Sequence, residues 1–211
     1  MEGIVCACGA SALELYRSSK RLIPTLLDKP RTGKVAGLMV PPRQFLEDDM
    51  TARGVTKQPY HVLVDGNHGY NPRRDIHAVA CYHPLPPRSL IKIDKGFWVT
   101  SPELTFIQIC ADENLSDFDI ICLGYELCGT YVLDDSWDGL TCIDEPLTST
   151  EKIGRLINSI HRVPGIKRAR NLIKHVHDLS NSPMETILAM LVSLPTTKGG
   201  LGPVSYTHLT L

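Results

Sequence analysis

The spacing of hydrophobic positions changes near residue 100. Before it, short apolar runs are broken by turn residues; after it, apolar positions recur every three or four residues. Leu13, Tyr16 and Leu22 fall near helical spacing and predict one short helix over residues 10–21. Pro24, Pro30, Pro41 and Pro42 then interrupt the chain, so residues 22–60 are expected to be mostly irregular with short elements, because proline lacks a backbone donor. Residues 60–65 read as a strand closed by the turn-rich stretch 65–69. Residues 76–83 alternate, with His77, Val79, Cys81 and His83 on one side. Residues 90–93 and 96–100 flank Asp94-Lys95-Gly96, a hairpin signal.

From Ser101-Pro102-Glu103 onward the pattern is helical, with a capping serine, a proline at the first helical position and an acid in the first turn. Helices are predicted to about Asn114 and over residues 116–131, the second placing Phe118, Ile121, Cys122, Tyr125 and Cys128 on one face. A third opens at residues 148–151 with Ile153, Leu156, Ile157 and Ile160. A fourth follows Pro164-Gly165, with Ile166, Ala169, Leu172, Ile173 and Val176 on one face and Lys167, Arg168, Arg170, Asn171 and Lys174 opposite. The last opens at Ser182-Pro183-Met184-Glu185, a capping-box pattern, presents Met184, Ile187, Leu188, Leu191 and Leu194, and ends at Pro195. The fold class expected is α/β (α+β): a small mixed sheet with a helix over residues 1–100, a helical region over 101–180, and one further helix over 182–202.

The chain has 211 residues, 43% hydrophobic and 21% charged, which is enough to bury a core. No apolar run approaches the roughly 20 residues needed to span a bilayer, and the start has no basic residue before its apolar stretch. Seven cysteines are too few and too odd in number for a disulfide scaffold. A reducing cytoplasmic location is expected. The net charge of −1 hides a segregation: residues 1–95 carry 14 Lys or Arg against 9 acids, residues 96–151 carry 12 acids and no Lys or Arg, and residues 152–177 carry seven Lys or Arg and no acid.

That basic stretch is the main candidate for chemistry. Arg155, Lys167, Arg168, Arg170 and Lys174 are the candidate nucleic-acid contacts, since each cation placed on a phosphate releases counterions. The alternative is a solvated face, or one packed against the acidic block. Cys6 with Cys8, Cys122 with Cys128, Cys142, and His77 with His83 lack the paired short spacing of a zinc site, so no metal is expected. Asp134, Asp135 and Asp138 form a possible divalent-ion cluster or a solvated turn. No nucleophile elbow and no phosphate loop is present.

Several segments carry a family resemblance: Ser11-Ala12-Leu13-Glu14-Leu15, His61-Val62-Leu63-Val64, Leu85-Pro86-Pro87-Arg88, residues 97–105, and above all residues 165–194 with their Arg-Ala-Arg helix and Ser182-Pro183-Met184-Glu185. Together they resemble an actinobacterial group related to AbiEi-type antitoxin proteins, in which an abortive-infection-like domain precedes a very-short-patch-repair-like endonuclease domain. The resemblance implies that residues 182–202 open the nuclease fold and that Glu185 is the one catalytic position inherited. The partner Asp and Glu-x-Lys that would hold Mg²⁺ do not follow it, and the winged helix-turn-helix of such antitoxins has no room before Ser11. A helix-capping role accounts for Glu185 completely by itself and is the favoured reading for this chain.

Residues 204–211 back-translate to a string similar to a transposase-type sequencing adapter, which predicts that authentic sequence runs only to about Gly202 here and that the native gene continues beyond it. Two functions are therefore expected. One is a truncated piece of a DNA-acting endonuclease-like protein, itself without a cofactor, with Mg²⁺ belonging to the full-length parent. The other is a non-enzymatic antitoxin-like or regulatory module that contacts DNA or a cognate toxin. Self-association through Ile187, Leu191 and Leu194 is expected in either case, unless that face folds back on the helical region.

Overall fold

The structure, a computed structural model, describes residues 3–18, 25–26, 28–67, 73–133 and 139–202. The acidic triplet Asp134, Asp135 and Asp138 and the segment 204–211 lie outside the described residues. The architecture is mixed α/β, as the change of period predicts. A six-stranded sheet has the order β2-β5-β6-β1-β3-β4, formed by β1 (Val5–Ala7), β2 (Arg31–Thr32), β3 (Tyr60–Asp65), β4 (Ile76–Cys81), β5 (Leu90–Lys92) and β6 (Phe97–Thr100). β1 runs parallel to β6 and β3 parallel to β4, while the other pairings are antiparallel. β1 and β6 are buried at every position, which fits central strands covered on both faces.

Helix α1 (Gly9–Ser18) lies beside α3 (Pro102–Ile109) against the sheet, and α2 (Arg43–Thr51) buries Leu46 and Met50. The Arg53 guanidinium just after α2 stands 4.1 Å over the Phe97 ring, a cation–π contact. The helical region continues with α4 (Asp117–Cys128), a two-stranded ribbon of β7 (Tyr131–Leu133) and β8 (Leu140–Cys142), α5 (Thr150–Ser159), α6 (Ile166–Leu172) and α7 (Pro183–Ser193). Residues 173–175 extend α6 as a 3₁₀ turn.

The boundary near residue 100 marks a change of element type within one continuous core, which runs from Val5 to Leu194. Polar ties cross it as well. Arg17 on α1 makes a two-pronged contact with Glu126 on α4 at 2.8 and 2.6 Å, and the same buried carboxylate accepts the Leu133 N–H at 3.1 Å. Glu103 at the start of α3 is buried, accepts from the Thr148 hydroxyl at 2.7 Å and lies 3.8 Å from Arg31. Among the described residues no helix is long and apolar enough to cross a membrane.

Candidate functional site

The basic helix is positioned by a close approach. Gly165 adopts φ +83°, and a Cβ there would stand 2.3 Å from the Ile107 carbonyl oxygen, so glycine lets α6 begin directly against the end of α3. Ala169 and Leu172 are then buried, with Val176 beyond them. At about 100° per residue, Lys167, Arg170 and Lys174 fall within roughly 60° of arc, and all three are exposed. The same rotation places Arg168 beside Leu172, roughly 100° from Lys167.

Arg168 is therefore turned toward the protein. Its Nε donates to Asp117 at 2.9 Å, and its two terminal nitrogens donate to the carbonyls of Asp112 at 2.9 Å and Leu115 at 2.6 Å. Lys198 reaches the other Asp117 oxygen at 2.7 Å. The hydrogen bond from Lys198 and the Arg168 guanidinium hold the Asp117 carboxyl below the usual carboxylate range. Arg168 thus joins the α3–α4 loop to α6, packing basic block against acidic block, and departs from the group of outward-facing cations in which its sequence position places it. Arg170 donates to the Ile157 carbonyl at 3.4 Å, which lays the exposed arc along α5. Arg155 on α5 is exposed, 3.8 Å from Glu151 one turn earlier.

At α7 the cap forms as expected in its first half, with the Ser182 hydroxyl accepting from the Glu185 N–H at 3.2 Å. The Glu185 carboxylate reaches one residue further back, to the Asn181 N–H at 2.9 Å. Thr186, Met190 and Leu194 are buried, Thr186 sharing a 3.0 Å hydrogen bond with the Tyr131 hydroxyl. Of the two expected outcomes for this face, it folds back on the helical region: Leu194 is fully buried and Ile187 and Leu191 are half-buried, whereas Met184, Leu188 and Val192 are exposed. The rotation follows from Thr186, which turns inward because its hydroxyl has partners in Tyr131 and Ser180.

A second site has weaker signals in the sequence. β3 and β4 pair in register, His61 opposite His77 and Leu63 opposite Val79, so these residues share one face. The two imidazole rings stack with centroids 4.6 Å apart and planes 30° from parallel. Burial, and then the neighbouring His77, lower the His61 pKa, partly offset by Asp112. Facing them are Gln108 in the last turn of α3, Asp112 just past it, and residues 159–164 at and after the end of α5, which enclose a cleft of about 1250 Å³ between sheet and helical region. His83 and His161 line it too. The alternation over residues 76–83 announces the β4 half; His61 and His161 arrive from distant segments, which no local pattern reports.

All seven cysteines are free. Desolvation pushes the Cys110 thiol up to about 12 and the Cys122 thiol to about 11, so both are poor nucleophiles. Among the described residues no three of His, Cys, Asp or Glu stand together as a metal site. Comparison with known proteins finds no matching family model, no matching curated protein and no matching solved structure.

Proposed function

We propose that this chain contacts DNA through Lys167, Arg170 and Lys174 on α6, with Arg155 on α5 beside them, as a non-enzymatic regulatory module of the antitoxin-like kind. The observation that supports it is a narrow exposed arc of three cations, none of which forms an ion pair with a described carboxylate. Cations so placed attract phosphate without reading bases, so binding of this kind is salt-dependent and weakly sequence-selective. Reversing the arc in a K167E/R170E/K174E variant is expected to abolish duplex binding in a fluorescence-anisotropy titration. Unchanged affinity would leave the arc a solvated face. Arg168 stays intact in that variant, because its loss would damage the fold.

A second reading is the endonuclease-like parent in which α7 opens the catalytic domain. It is favoured by the exposed stripe of Met184, Leu188 and Val192, an apolar face of the sort that a further packed layer covers. The described residues do not fit Mg²⁺: Glu185 is a single acid whose carboxylate holds the Asn181 N–H. Mg²⁺ belongs to this reading only through residues supplied by the parent. Determining the gene sequence past the Gly202 codon tests it; an acidic strand and a Glu-x-Lys are expected there, and a stop codon soon afterwards would contradict it.

A further inference from the structure

The histidine cleft plays no part in the reading above. Four imidazoles line it, and among the described residues none of their ring nitrogens has a hydrogen-bond partner. His77 covers His61 with one ring face and is itself exposed, so its other face continues the stack into the cleft. The His77 ring, held against His61, offers its free face at little entropic cost.

The polar groups of the cleft are complementary to a heterocycle edge. Gln108 accepts the Gly9 N–H through Oε1 at 3.0 Å, which leaves its amide NH₂ as a free donor. Asn114 donates through Nδ2 to Asp112 at 3.0 Å, which leaves its Oδ1 as a free acceptor. Leu63 and Leu104 supply a buried apolar floor. The carboxylates of Asp112 and Glu113 disfavour a phosphate inside, whereas Arg162 also lines the cleft and the cationic arc of α6 begins a few residues beyond it. A volume of about 1250 Å³ exceeds what one base fills.

We propose that this cleft receives an unstacked base of a single-stranded nucleic acid, stacked on His77, while the backbone runs toward α6. Paired bases in a duplex keep their faces covered, so only a single strand can supply them. The proposal rests on the previous reading only in placing phosphates along α6.

The test uses the full chain with an end-labelled 12-nucleotide single strand and, separately, its duplex, followed by anisotropy. H77A is expected to weaken single-strand binding about tenfold, the scale of one base–aromatic stack, and to leave duplex binding unchanged. The His77 side chain is exposed, so its truncation does not open the core. H77F is expected to retain the affinity, since the stacking face survives, whereas K167E/R170E/K174E weakens both complexes. Equal single-strand affinity in wild type and H77A would overturn the proposal. So would adenosine binding the cleft as tightly as the strand does, because the cleft would then serve a free nucleoside. His77-dependent strand binding without duplex binding would remove the earlier reading and keep this one; duplex binding without strand binding would do the reverse.

Discussion

At the scale of single residues, the decisive distinction lies within one basic helix. Arg168 and Arg170 are two positions apart and chemically identical, but the first faces Asp117 and two carbonyls while the second lies on the exposed arc. The helical rotation that separates them is readable from the sequence; the identity of Asp117 as a partner 51 positions away is not. His61 is a second case, since its lowered pKa comes mainly from burial under segments far along the chain. The folded protein resists protonating it, so the unfolded chain binds the proton first as pH falls below about 6.5. Its contribution to stability is accordingly level above that pH, declines below it, and levels again under the folded value. His175, also lowered, acts in the same direction. Urea denaturation at pH 7.5 and 5.5 is expected to show a loss of stability for the wild type and a smaller loss for His61→Gln. An equal loss in both proteins would show that His61 is not held neutral by the fold.

At the scale of elements, the strands β3 to β6 fall where alternation and the Asp94-Lys95-Gly96 turn place them, because their patterns are local. β1 is three residues long and buried throughout, so it has no period to read, although it lies at the centre of the sheet. The β7–β8 ribbon escapes for a similar reason, with strands of only three residues. α7 shows a different limit. Its ends are set by Ser182 and Pro195, but a helix of mostly apolar residues does not declare which side is buried, and the hydroxyl of Thr186 decides it. Self-association is consequently expected through Met184, Leu188 and Val192, at helical spacing of four. Light scattering over a concentration series should show association in the wild type and a monomer in M184K/L188K/V192K. A wild type that stays monomeric throughout would contradict this.

At the scale of the whole molecule, one core joins sheet and helices, and the three charge blocks of the sequence become contacts rather than separate surfaces. Arg17 with Glu126 and Arg168 with Asp117 show basic stretches meeting the acidic one. What remains outside those contacts on α6 is the short arc that the proposed DNA role depends on, and the histidine cleft appears only once β4 and the segment after α5 are brought face to face. The most direct test is the salt dependence of duplex binding by the wild-type chain. If Lys167, Arg170 and Lys174 each neutralise a phosphate, log K should fall against log salt with a slope of about −2.7, steepening toward about −3.6 when Arg155 also engages. A slope near zero, or no measurable binding at low salt, would contradict the account.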